Sequence, residues 1–222
     1  MGCPCGGGAA GRGGVLRWLA TQLLDLVGGL SDRIYGERKR ALLGPLTGVV
    51  VEIGPGSVGN FNYLGPGVRW IGVEPNVHAR SKLLKHAAER GVPADVYVGV
   101  AEHLPLADSS ADAAVATLVL CSVDDVAATL REILRVLRPG GSFVFIEHVA
   151  AEQGTALRSF QDAIAPLWRW CADGCHANRE TGRMLDEAGF ERVIRDQFRV
   201  ASPMVHLAPH IAGAATKGMG PI

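Results

Sequence analysis

The chain has 222 residues, 48% of them hydrophobic and 20% charged, with Lys+Arg and Asp+Glu both at 22. That length and balance suit one α/β domain able to bury a sizeable core, and they exclude a disordered or fibrous chain. Zero net charge supplies no global basic field for phosphate backbones, so nucleic acid is not expected as a main partner.

Residues 1–14 hold seven glycines and read as a flexible tail. Leu16, Leu19, Leu23, Leu26 and Leu30 recur at helical spacing, which predicts an amphipathic helix from Val15 to Leu30. Arg17, Gln22 and Asp25 interrupt it, so no integral membrane span is expected there. With no secretory leader and an odd count of five cysteines, the protein is expected to be cytoplasmic, with reduced thiols. Cys3 and Cys5 fall in the glycine tail and carry no predicted role.

After a helical stretch to about Leu43, strands and helices alternate. Predicted strands cover Val49–Ile53, Val68–Val73, Asp95–Val100, Ala113–Leu120 and Ser142–Val149. Predicted helices cover Asn76–Arg90, with Asn76 as N-cap and Gly91 as stop, and Asp124–Leu137, ended by Arg138-Pro139-Gly140-Gly141. Such alternation implies βαβ units and a parallel sheet with right-handed crossovers. Helices from Thr155 to Cys171, with a kink expected at Pro166, and from Asn178 to Ala188 follow. Two late strands, Glu191–Val200 and one within His206–Lys217, complete a Rossmann-like α/β fold with a mostly parallel seven-stranded sheet. The expected organisation is one domain over residues 15–222: a helical lid (15–45), a cofactor half (46–150) and an acceptor half (151–222).

Glu52-x-Gly54-Pro55-Gly56-x-x-Gly59 sits directly after the first strand. Glycines there let a backbone approach a ligand without a Cβ clash, at the strand ends where open α/β sheets bind cofactors. An acid inside the strand end does not suit a pyrophosphate but does suit an ammonium and a sulfonium. Glu74, 20 residues after Gly54 and followed by Pro75 and Asn76, can accept hydrogen bonds from both hydroxyls of a ribose. Ala101 and Glu102, after the third strand, are placed to close over an adenine, with Leu118 at the end of strand four.

This ordered set, with Asp108-Ser109-Ser110-Ala111-Asp112 and Val136-Leu137-Arg138-Pro139-Gly140-Gly141, resembles the class I S-adenosylmethionine (SAM)-dependent methyltransferases. The resemblance implies SAM as cofactor, held by Glu52, Gly54, Pro55, Gly56, Glu74, Pro75, Asn76, Ala101, Glu102 and Leu118. That family often carries Asp where Glu74 and Val100 stand.

In the second half, Leu118-Val119-Leu120-Cys121-Ser122-Val123, Glu147-His148-Val149, Asp173-Gly174-Cys175, Arg179-Glu180-Thr181 and Pro209-His210-Ile211 follow in one order. This series resembles the alkyl thiol S-methyltransferases and implies methyl transfer to the sulfur of a small apolar thiol, in detoxification or natural-product tailoring. A thiol asks for little beyond deprotonation, since its pKa of about 8.5 already leaves a few per cent as thiolate near neutrality. His148, at the end of strand five, is the first candidate to assist it, and His103 the second. Tyr35, Cys121, Trp168 and Cys171 are candidates for the acceptor pocket. Cys171-x-x-x-Cys175-His176 lacks a second ligand pair at zinc spacing, so no metal is expected. Two other functions fit the same cofactor half: a C- or O-methyltransferase acting on a quinol or phenol, and a non-catalytic SAM-binding partner subunit.

Overall fold

A computed structural model describes residues 33–172, 174–201 and 204–220. The expected tail, the Val15–Leu30 helix, Cys3 and Cys5 lie outside them. The chain divides into two compact units, residues 1–37 and 38–222. In the first, residues 33–37 are helical and Tyr35 is buried.

The second unit opens on helical residues up to 43 and then builds β1 (Gly48–Ile53), β2 (Val68–Val73), α1 (Ala79–Glu89), β3 (Ala94–Tyr97) and β4 (Ala111–Thr117). There follow α2 (Val126–Val136), β5 (Leu137–His148), α3 (Ala156–Cys171), α4 (Thr181–Glu187), β6 (Arg192–Arg199) and β7 (Pro209–Thr216). The seven strands form one sheet in the order β3-β2-β1-β4-β5-β7-β6. β1 to β5 pair in parallel, while β7 runs antiparallel to both β5 and β6. Strand order therefore reverses between β1 and β4, and the loops leaving those two strands part to form a crevice at their carboxyl ends.

Alternation along the central strands sorts the core into two layers. Val51 and Ile53 of β1 join Phe143 and Phe145 of β5 beneath Val126, Leu130 and Ile133 of α2. Val50, Val144 and Trp70 face the other way, onto Leu83 and Ala87 of α1. The β-branched run Val49-Val50-Val51 is thus buried from both sides, as a central parallel strand requires.

Several boundaries differ from expectation. α1 starts at Ala79 rather than Asn76, because the Asn76 side chain accepts from the His78 backbone N–H and holds residues 76–78 in a turn. The glycine loop leads into a single 3-10 turn, Phe61–Tyr63. β5 begins at Leu137, where Arg138 to Gly141 bulge between the Ala111–Leu137 and Ala113–Ser142 pairs.

Candidate active site

The glycine loop after β1 is held by its backbone. Gly54, Gly56 and Gly59 all adopt positive φ, near 60°. The Gly54 N–H donates to the Val73 carbonyl at 2.9 Å, and the Gly56 N–H donates to Oε2 of Glu74 at 3.0 Å. A Cβ on Gly54 would stand 3.0 Å from both Val119 methyls, so the loops after β1 and β4 meet here. A Cβ on Gly56 would find open space to 4 Å. Pro55 and Gly56 thus border the crevice with bare backbone.

Glu74, at the end of β2, is buried and its Oε1 also accepts from the Asn76 N–H at 3.0 Å. Each oxygen therefore uses one acceptor site on backbone and keeps another for a ligand hydroxyl. Pro75 lies between these two contacts. Open glycine backbone, an under-used buried carboxylate at the neighbouring strand end and a switch-point crevice fit an adenosine-bearing methyl donor.

Glu52 differs from the expectation of direct contact. Its carboxylate is buried and takes hydrogen bonds from Trp70 Nε1 (2.7 Å), Asn60 Nδ2 (2.8 Å) and the Asn60 N–H (3.2 Å). Burial pushes its carboxyl above the ordinary range, and those bonds with the Lys39 charge draw it back. Glu52 pins the glycine loop to β2 from within the protein.

After β3, Ala101 is buried, and Glu102 accepts from the N–H groups of Asp124 and Asp125 at 2.8 and 3.2 Å. That bond ties the loop after β3 to the N-terminus of α2, where Asp125 is the N-cap. His103 is exposed in the same turn, and its backbone N–H bonds to Val100. Leu118, ending β4, holds φ at 58°, a conformation uncommon for a branched side chain. It turns the chain from the sheet into residues 119–123. Glu147 of β5 fixes that turn by accepting from the Val119 and Leu120 N–H groups, both at 2.9 Å. Burial raises the Glu147 carboxyl to about 7. Arg179 donates to the carbonyls of Leu120 and Val123 on the same turn.

Beside this turn lies a cluster that chain spacing does not reveal. His148 at the end of β5 places Nε2 at 3.2 Å from the Cys175 sulfur. Trp168 of α3 donates its indole N–H to the same sulfur at 3.3 Å. Cys121 Sγ, His148 Nε2 and Cys175 Sγ lie within 4.8 Å of one another, and all three residues are buried. A backbone bond from His176 N–H to the Cys121 carbonyl, 2.8 Å, locks the two cysteine-bearing loops together. The Cys175 thiol is pulled well below its ordinary value, first by a hydrogen bond from Cys121, then by His148 and Trp168. The Cys121 thiol moves the other way, raised by its bond to Cys175 and by burial. The Cys121 thiol itself lies 3.6 Å from the Leu118 carbonyl, to which it donates.

The structure thus brings His148, Cys121 and Trp168 together and leaves His103 in a separate, exposed turn. Cys171, a candidate for the acceptor pocket, is exposed with its thiol bonded back to the Trp168 carbonyl, whereas Cys175 is buried beside His148. The signal was the Gly174 that precedes Cys175, whose φ of 85° turns the chain inward after α3.

A methyltransferase-domain family model matches residues 51–145, the segment carrying the glycine loop, Glu74 and β4. Human thiol S-methyltransferase TMT1A is 39% identical over 171 residues, covering 76% of this chain and 70% of the relative. The chain belongs to the thiol S-methyltransferase family. It is accordingly a SAM-dependent methyltransferase. The ubiquinone/menaquinone C-methyltransferase UbiE of Caulobacter vibrioides is more distant, 30% identical over 59% of each chain. Among solved structures, Bacillus subtilis YcgJ shares the fold of this methyltransferase with a TM-score of 0.65 at 18% identity, covering 83% of this chain and 98% of that one. No helix among the described residues is long and apolar enough to cross a membrane.

Proposed function

We propose that this methyltransferase transfers the methyl group of SAM to the sulfur of a small, apolar thiol bound beside Cys121, His148 and Cys175. The observation that carries the reading is the placement of that buried sulfur-and-imidazole cluster on the turn after β4 and at the end of β5. The glycine loop opens at the same carboxyl edge of the sheet, so donor and acceptor would share one crevice. The family agrees, since the human relative is named a thiol S-methyltransferase.

Bound SAM supplies an electrophilic methyl on a sulfonium. Gly54, Pro55 and Gly56 would take its methionyl part against bare backbone, and Glu74 would accept from the ribose hydroxyls. Asn76, Ala101 and Glu102 would border the adenine, and Leu118 would lie between donor and acceptor. Glu52 would act through the loop it pins. Trp168 gives the acceptor an apolar wall, and His148 with Cys175 favours loss of the acceptor's thiol proton. The transfer is an in-line displacement, so alignment and exclusion of water do most of the remaining work.

The test is S-adenosylhomocysteine release from SAM with a panel of aliphatic thiols, dithiols, catechols and quinols. Turnover confined to thiols is the expected result. Turnover confined to catechols or quinols would overturn the acceptor and leave the cofactor site intact.

A further inference from the structure

The Cys121, His148 and Cys175 cluster has a donor set that the proposed reaction leaves only partly used. Two sulfurs and one imidazole nitrogen come from three separate stretches of chain, all three residues are buried, and their donor atoms lie within 4.8 Å of one another. Around a tetrahedral zinc ion, sulfur at about 2.3 Å and nitrogen at about 2.0–2.1 Å would stand roughly 3.5–3.8 Å from each other. The observed 3.2 Å between His148 Nε2 and Cys175 Sγ and the 4.8 Å limit on the group bracket those spacings.

We propose that Cys121, His148 and Cys175 form a three-ligand zinc site whose fourth position takes the sulfur of the acceptor thiol. This inference rests on the thiol reading above and supplies its means of activation. Two thiolates and one imidazole are a borderline-soft set that favours zinc over magnesium or calcium. Among the described residues no fourth Cys, His, Asp or Glu completes the group, which is the pattern of a catalytic rather than a structural zinc. The Trp168 indole N–H, already on the Cys175 sulfur, would stabilise a ligating thiolate from the second layer. The Cys121 turn and the Cys175 loop are preset by the His176–Cys121 backbone bond and by Arg179 on the Leu120 and Val123 carbonyls. The sequence hides the site because its donors stand 27 residues apart at closest, and Cys171, the apparent partner, faces away.

The step balances. On coordination the acceptor thiol gives up its proton to solvent, since a metal-bound thiol is deprotonated. Its sulfur lone pair then forms the new S–C bond as the methyl–sulfonium bond breaks, and that bond's electron pair stays on the departing S-adenosylhomocysteine sulfur. Thiol and SAM become thioether, S-adenosylhomocysteine and one proton, with no oxidant or reductant consumed.

The test uses the full chain, kept reduced, stripped with chelator and titrated with Co²⁺ as a spectroscopic probe. The expected result is one equivalent bound, with the sulfur-to-cobalt charge-transfer absorption and intense visible bands of a tetrahedral thiolate site. A simple aliphatic thiol added to the cobalt protein should shift both, and Zn²⁺ should displace the cobalt. Cys175→Ser and Cys121→Ser should each weaken the charge-transfer band, whereas Cys171→Ser should retain it. SAM affinity by calorimetry reports that each variant is folded. Chelation should lower thiol methylation by at least about tenfold, with recovery on Zn²⁺ addition. Absence of the bands, or bands that survive both variants, overturns the metal site. Bands that ignore added thiol overturn the open fourth position. Full thiol turnover by the stripped protein with no cobalt uptake would sink the zinc site alone and leave the thiol methyltransferase standing.

Discussion

Glu74 joins the two halves of the proposed cofactor contact: one oxygen holds the Gly56 N–H and the other the Asn76 N–H, and spare acceptor sites remain for a diol. Removing it leaves two backbone donors and two ligand hydroxyls unpaired in a buried place. Glu74→Ala should therefore weaken SAM binding by about 1–3 kcal/mol, read by calorimetry. An unchanged affinity would remove the ribose from this strand end. At the other side of the crevice, His148 touches the Cys175 sulfur and matters as long as the acceptor needs help to lose its proton. A free thiol has pKa of about 8.5. His148→Ala should accordingly lower kcat by about 10²–10⁴ at neutral pH and far less at about pH 9, where thiolate is already abundant. An equal loss across that range would show that His148 only shapes the pocket.

At the scale of elements, the sheet was legible wherever period and composition agreed. Val68–Val73 matches its strand residue for residue, and both late strands fall within their expected ranges, although β7 runs against β5 and β6. What escaped was set by contacts that composition and period do not carry: the local Asn76 turn that delays α1, and the register shift against β4 that lets β5 start early at Leu137. The Cys121–His148–Cys175 cluster escaped because it is assembled by topology instead of spacing. Gly213 is a further case, invisible as a requirement until β6 is laid against β7. A Cβ there would meet the Ile194 carbonyl oxygen and lie 2.7 Å from the Arg195 Cα, both backbone atoms. Gly213→Ala should force β6 off β7 and cost about 1–3 kcal/mol in urea unfolding. An unshifted midpoint would mean that this edge strand yields freely.

For the molecule as a whole, Glu52 is the buried carboxyl on which the glycine loop, β1 and β2 converge, through Asn60 and Trp70. Glutamine has nearly the same shape but presents an amide N–H₂ where Asn60 or Trp70 already donates. Glu52→Gln should thus destabilise the fold by about 1–3 kcal/mol. The pH dependence has a definite sign. Burial raises the Glu52 carboxyl above its ordinary value of 4.5. The folded state therefore binds this proton more tightly than the unfolded chain does. Its contribution is fully present below the unfolded pKa and is lost as pH rises through the folded value. Glutamine does not titrate, and every other group cancels between the two proteins. The variant's deficit should be largest near about pH 4.5 and should shrink toward about pH 8, as wild type comes to carry a buried carboxylate. Urea unfolding of both proteins across that range measures the difference directly. A deficit that grows with pH would mean that the Lys39 charge and the three hydrogen bonds outweigh burial, making Glu52 a stabilising anion at the base of the cofactor loop.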